Sequence, residues 1–329
     1  MNFWKNKKVL VTGGAGFIGS HLVERLIQKE ADISVLDNLE NGRMENLQGF
    51  RNKIEFIKAD LKDIDVCRKS ARGASVVMHL AAKVGGVGYN VGHQGTMFTA
   101  NVLINTNMME AARLENVERY LVVSSACVYP RYCSIPTPEE EGFKDEPEPT
   151  NFGYGWAKRI AEIQAKAYID EFKMNIAIVR PYNSYGPRDH FSLDKAHVIP
   201  ALINKVCSGM SPLIVWGSGE QSRAFVYVTD LAEGMLLAVE KGITGEVFNI
   251  GTEEEIKIKD LVSLIINTCA TKTKVKYESA HLSGQPRRNA DIARAKKLLG
   301  YSPKVTLEKG LKETIIWYKQ KNNIGEIKS

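Results

Sequence analysis

Val9-Leu10-Val11-Thr12-Gly13-Gly14-Ala15-Gly16-Phe17-Ile18-Gly19, near the start of the chain, joins an apolar run to a segment with helical spacing. The run stops at the first glycine, and Phe17, Ile18, Leu22, Leu26 and Ile27 then fall near i, i+4 steps on one helix face. Gly13, Gly16 and Gly19 stand at spacing G-x-x-G-x-x-G. In such a turn the first glycine permits a tight reversal. The second lets a pyrophosphate reach the backbone at the helix N-terminus, and the third allows close helix–strand packing. Glycines alone would serve a structural turn equally well. A second strand-like run, however, ends at Asp37, close to the ~20-residue distance at which an acid binds the ribose of a dinucleotide. Its carboxylate accepts from a 2′-hydroxyl and repels a 2′-phosphate, so NAD is expected rather than NADP. Arg43 is near enough to bear on that choice and is read as a solvated loop charge.

Outward from this turn, strand-like runs at 8–12, 33–36, 54–58, 75–80, 120–124 and 176–180 alternate with helical patterns at 17–29, 66–72, 97–115 and 154–172. Strands separated by helices of this length imply a parallel sheet covered on both faces. The expected fold is therefore α/β, a Rossmann-type doubly wound parallel sheet over residues 1–182. A smaller α+β substrate domain is expected over 183–329, with later segments free to return to the first. Its expected helices lie at 198–208, 230–241, 258–268, 291–299 and 307–319. Residues 130–151 carry five of the 11 prolines and a cluster of acids, and read as a surface loop beside the site.

Composition narrows the function. The 329 residues are 44% hydrophobic and 25% charged, as in an ordinary globular protein rather than a disordered chain. The net charge of +6 is spread without a basic tract, which suits small anionic ligands and not nucleic acid. Five scattered cysteines form no C-x-x-C pair, so neither a disulfide framework nor a metal site is expected. The N-terminal segment reads as neither a signal peptide nor a membrane span, and a cytoplasmic location is expected.

Tyr154-Gly-Trp-Ala-Lys158 puts a phenol and an ammonium on one helix face. A nearby ammonium lowers a phenol's pKa toward the range useful for proton transfer. With the glycine turn, this pair resembles the extended short-chain dehydrogenase/reductase family of nucleotide-sugar enzymes. Further similar segments run along nearly the whole chain: Asp60-Leu61, His79-Leu-Ala-Ala82, Asn101, Ser124-Ser-Ala-Cys-Val-Tyr129, Arg180-Pro-Tyr-Asn183, Arg223-Ala-Phe and Arg287-Arg-Asn-Ala-Asp291.

The resemblance implies roles residue by residue. Ser125 matches a serine that holds the sugar oxygen, Tyr154 the acid/base, and Lys158 the residue that binds the nicotinamide ribose. Asp60 and Leu61 resemble adenine-pocket residues, and Phe17, Ile18, Leu80, Ala81, Ala82 and Asn101 complete the cofactor set. Lys83, Asn183, Arg223 and Arg288 are the implied substrate-binding residues, the arginines suiting a diphosphate because a planar fork binds phosphate oxygens in pairs. Members of the family commonly dimerise through the helices after the fourth and fifth strands, where Met97, Met108, Met109 and Ile163 offer apolar surface for a homodimer.

Cys127 sorts the branches of the family. Sugar 4,6-dehydratases carry an Asp-Glu pair in this segment, which Ser125-Ala-Cys-Val-Tyr lacks. A cysteine here resembles two groups, the GDP-mannose 3,5-epimerases and the GDP-L-fucose synthases, in which it removes a proton next to a sugar ketone. Lys83-Val-Gly-Gly86 and His197-Val-Ile-Pro-Ala-Leu202 are similar to the second group, whose histidine is the acid, while Lys195 is similar to the acid lysine of the first. The proton donor thus stays open between His197 and Lys195. Each also has an ordinary reading: Cys127 as a small buried hydrophobe, His197 as a helix-start residue. The expected function is an NAD-dependent epimerase of a nucleotide sugar, GDP-hexose favoured, with a 4-keto-6-deoxyhexose epimerase/reductase or a simple 4-epimerase as alternatives.

Overall fold

The computed structural model describes residues 2–85, 87–193, 196–278 and 287–324. Apolar runs and helical spacings form the elements their periodicities imply: β1 (Lys8–Thr12), α1 (Phe17–Gln28), β2 (Asp32–Asp37), β3 (Glu55–Lys58), α2 (Ile64–Ala71) and β4 (Val76–His79). After these come α3 (Val87–Gly92), α4 (Gln94–Leu114), β5 (Arg119–Val123), α5 (Phe152–Phe172) and β6 (Ile176–Pro181). The central sheet has seven parallel strands in the order Val247–Ile250, β6, β5, β4, β1, β2, β3. Strand order reverses between β1 and β4, with β2 and β3 added on one side and β5 and β6 on the other, and a doubly wound sheet binds its ligand outside the carboxyl ends at this switch point.

Side chains alternate across the sheet as a pleat requires. Val9 and Val11 join one core layer with Leu22 and Leu26 of α1, whereas Leu10 joins the opposite layer with Met108 of α4 and Ala161 of α5. A third core lies between α6 (Val198–Cys207), α8 (Ile258–Thr268) and α9 (Leu307–Lys321). The two parts of the chain interleave. α7 (Val228–Lys241) packs on α1, the Val247–Ile250 strand pairs with β6, and Ile292, Leu299 and Tyr301 join the first core. Everything after residue 182 is therefore not one substrate domain in space.

The helix expected over 291–299 forms over 293–299, its last turn π-helical (Ala295–Leu299) and closed by Gly300 at φ 70°. Two expectations are corrected. The acidic 130–151 loop is only partly on the surface: Glu139, Glu141 and Glu148 are buried, and the backbone N–H of Asn249 donates to Glu139 Oε1 at 2.9 Å. Met97, Met108 and Met109 are core residues, so of the four apolar candidates only Ile163 (54% exposed) lies on the surface. Leu103 and Phe98 of α4 are exposed instead.

Candidate active site

A cleft of about 1590 Å³ opens along the carboxyl ends of the strands and continues under α6. Gly13, Gly16, Phe17, Ile18 and Gly19 line its floor. The glycines are demanded by contact: a Cβ on Gly19 would sit 2.2 Å from Gly13 O, and one on Gly13, at φ 70°, would meet Ala81 N at 2.8 Å. Asp37 closes the far end, buried, with Oδ2 accepting from Ala15 N at 3.0 Å and Oδ1 from Leu39 N at 2.8 Å. Each oxygen keeps a second lone pair for a ribose hydroxyl. Burial raises the Asp37 pKa, and the two backbone donors oppose that rise.

Asp60, Leu61, Leu80, Ala81, Ala82 and Lys83 form the adjoining wall. Thr12 fixes it: its Oγ accepts from Ala81 N at 3.2 Å and donates to His79 Nδ1 at 2.8 Å, while His79 Nε2 faces Asn105 Oδ1 at 3.0 Å. Desolvation pushes the His79 pKa down to about 3, so the imidazole is neutral and this tautomer is the consistent one. Lys83 Nζ pairs with Glu40. Asn101 stands behind the wall instead of in the cleft. Fully buried, it accepts from Lys83 N at 3.0 Å and donates to Lys83 O and Met97 O, which makes it a support for Lys83.

Ser125, Cys127, Tyr154 and Lys158 meet beyond the β5 end of the cleft. The segment Phe152-Gly-Tyr-Gly-Trp156 explains how α5 comes so close. A Cβ on Gly155 would lie 2.5 Å from Cys127 O, and one on Gly153 would lie 2.2 Å from Gln94 O. Ser125 Oγ accepts from Cys127 N at 3.1 Å, and the Ser125 hydroxyl acts on the Tyr154 phenol by lowering its pKa. Lys158 Nζ donates to Val123 O at 2.8 Å and lies 5.7 Å from the Tyr154 ring centroid. Here the expected acidification of the phenol by the ammonium is overridden. Burial raises the Tyr154 pKa, the nearby Cys127 adds to the rise, and the Ser125 hydroxyl opposes it. Burial also pushes Lys158 down to about 8, against the pull of Cys127 and Glu162.

On the opposite wall, His197 is the N-cap of α6 and lines the cleft, its side chain 58% exposed. Its Nδ1 lies 3.8 Å from Oδ1 of buried Asp189, which raises the imidazole pKa. Lys195 falls outside the described residues. Asn183, Arg223 and Arg288 line the same cleft. Desolvation lowers the Arg223 pKa and neighbouring Arg288 lowers it further, while Glu255 and Glu148 oppose both. Asp189, Glu148 and Asn90 also line this cleft, and no motif in the sequence marks them as a set. Only the Glu148-Pro149-Thr150 run, a helix-start pattern ahead of Tyr154, hinted at one of them. Among the described residues no group of three or more His, Cys, Asp or Glu is placed to hold a metal, and no helix is long and apolar enough to cross a membrane.

The fold and cleft are those of a dinucleotide-dependent enzyme, and the comparisons agree. A profile of the NAD dependent epimerase/dehydratase family matches residues 9–251, and the chain belongs to that family. A putative UDP-glucose 4-epimerase of Methanocaldococcus jannaschii is 34% identical, covering 95% of this chain and 99% of that one. A probable GDP-L-fucose synthase of Oryza sativa subsp. japonica is 31% identical over 95% of this chain and 92% of its own length. The Thermotoga maritima UDP-glucose 4-epimerase, solved with UDP-glucose, superposes with a TM-score of 0.88 at 30% identity, covering 96% and 99% of the two chains. NAD is the cofactor of this family, and the glycine cradle and Asp37 fit its pyrophosphate and ribose.

Proposed function

We propose that this protein epimerises a nucleotide-diphosphate hexose, a GDP-hexose in the favoured reading, exchanging the proton at C3 or C5. The observation that carries this is Cys127, beside Tyr154 on a turn tied to Ser125. The glycine turn and Asp37 would hold NAD, which when bound would supply reversible hydride exchange with the C4 carbinol. Ser125 orients the C4 oxygen and Tyr154 takes and returns its proton. A hydrogen next to the resulting ketone is acidic enough for a thiolate, so Cys127 removes it. His197, across the cleft and paired with Asp189, or Lys195 then delivers a proton to the other face and inverts the carbon. Arg223 and Arg288 hold the diphosphate, and Asn183 and Lys83, which line the same cleft, contact the rest of the substrate.

Incubation with GDP-mannose and NAD in heavy water tests this: deuterium enters C3 or C5 with no reduced cofactor added. A ring free of deuterium overturns it. The His197–Asp189 pair and the fucose-synthase relative favour a second reading, a 4-keto-6-deoxyhexose epimerase/reductase, which consumes NAD(P)H stoichiometrically. Simple 4-epimerisation, favoured by the UDP-glucose relatives, leaves every ring carbon–hydrogen bond closed to solvent. A homodimer belongs to the same proposal, supported by exposed Phe98, Leu103 and Ile163 on neighbouring α4 and α5.

A further inference from the structure

Glu148 is 1% exposed, lines the cleft that also holds Tyr154 and Arg223, and acts electrostatically on Arg223. One oxygen is fully engaged: Oε2 accepts from Thr150 N at 3.1 Å, from Thr150 Oγ and from Asn151 Nδ2 at 3.3 Å. The other, Oε1, is buried without a hydrogen-bond partner among the described residues. Leaving a buried carboxylate oxygen unmatched is costly, so such a group calls for a donor.

A second unmatched acceptor follows from the first. The carboxylate can only accept, so Asn151 must turn its Nδ2 toward it, which leaves Asn151 Oδ1 to accept from Asn90 Nδ2 at 2.9 Å. Asn90, 5% exposed and also bordering the cleft, is thereby forced to present Oδ1, which likewise has no partner. Two buried acceptors, a carboxylate oxygen and an amide oxygen, thus belong to cleft-lining residues joined through Asn151.

We infer that Glu148 and Asn90 form the sugar-reading wall, accepting hydrogen bonds from hydroxyls of a neutral hexose and excluding nucleotide sugars whose hexose carries a carboxylate. The inference rests on the nucleotide-sugar reading above and narrows its substrate class. A hydroxyl donates where the wall only accepts. A uronate would bring a second carboxylate against Glu148 with no proton between them.

Glu148→Gln tests it cleanly. Thr150 N donates, so the glutamine oxygen must keep that position and its NH2 turns to the cleft, replacing an acceptor by a donor while the capping bonds stay. Calorimetric titration of the purified protein uses GDP, GDP-mannose and GDP-mannuronate, with UDP, UDP-glucose and UDP-glucuronate in parallel. In the parent the neutral hexose tightens binding over the bare nucleotide and the uronate does not. The variant loses about tenfold of that hexose gain, narrows its discrimination against the uronate, and keeps its affinity for bare nucleotide within about twofold. Unchanged hexose affinity overturns the inference. So does an equal loss for bare nucleotide, which would mean that Glu148 only builds the start of α5. A parent that binds no nucleotide sugar of either series sinks the proposed function itself, an outcome distinct from both.

Discussion

Burial sets the chemistry available to each side chain in the cleft. The Tyr154 phenol is raised by desolvation and steadied by Ser125, so on the proposed mechanism it is a proton carrier whose loss is felt in turnover. Tyr154→Phe is expected to lower turnover by about 10²–10⁴-fold while NAD still binds, as fluorescence titration of the dinucleotide would report. Cys127→Ser separates the readings. Deuterium entry at C3 or C5 should fall about 100-fold or more, because a hydroxyl is a far weaker acid than a thiol, while 4-epimerisation would continue. Full exchange in that variant removes Cys127 from the mechanism. Asp37→Ser should weaken NAD binding and narrow the preference for NAD over NADP, since the charge that repels a 2′-phosphate is gone. An unchanged ratio of the two dissociation constants would contradict the ribose assignment.

Strand ends and helix starts are held by pairs that reach across the layers. Glu162 of α5 and Arg180 of β6 form a buried ion pair, Nη2 to Oε2 at 2.7 Å, with Nε donating to Oε1 at 2.9 Å. The same carboxylate accepts from Ser124 Oγ, next to Ser125, and Arg180 Nη1 donates to Tyr129 Oη at 3.0 Å and Glu139 O at 2.7 Å. This cluster ties the helix bearing Tyr154 to the turn bearing Cys127. Glu162→Gln leaves the guanidinium uncompensated and should cost about 3–5 kcal/mol in urea unfolding, a loss that replacing both partners by apolar residues would reduce. Gly155→Ala acts on the same joint with less effect on stability. Its methyl would push against Cys127 O, so turnover should fall while NAD affinity holds.

Acid sensitivity and assembly belong to the molecule as a unit. His21 and His79 are buried and neutral, with pKa values pushed down to about 4 and about 3, chiefly by desolvation. Between about pH 6.5 and those values the unfolded chain binds protons that the folded chain refuses. Stability is therefore complete above about pH 6.5 and falls as pH falls through this window, by on the order of 3 kcal/mol for each group. Urea midpoints from pH 7 to 4 should show this decline, blunted in His21→Asn, whose amide can still donate to Pro187 O. A midpoint independent of pH would contradict it. For the proposed homodimer, light scattering should give twice the chain mass, and Ile163→Glu, which puts a charge on the exposed face of α5, should give a monomer.

From sequence alone came the doubly wound sheet, the glycine turn and its acid, and the segments carrying Ser125, Cys127, Tyr154 and Lys158. These are properties of local spacing: a two-residue or near-four-residue apolar period, a glycine where no Cβ fits, and a phenol and amine one helical turn apart. What packing decided was different in kind. The three methionines went to the core, and Glu139, Glu141 and Glu148 of the acidic loop turned inward. Asn101 became a prop for Lys83, and burial outweighed the ammonium at Tyr154. The Asn90–Asn151–Glu148 chain arises only when α3 packs against the turn Pro149–Asn151 that leads into α5. Desolvation and hydrogen-bond matching depend on which distant segments share a volume, and that is a property of the folded chain.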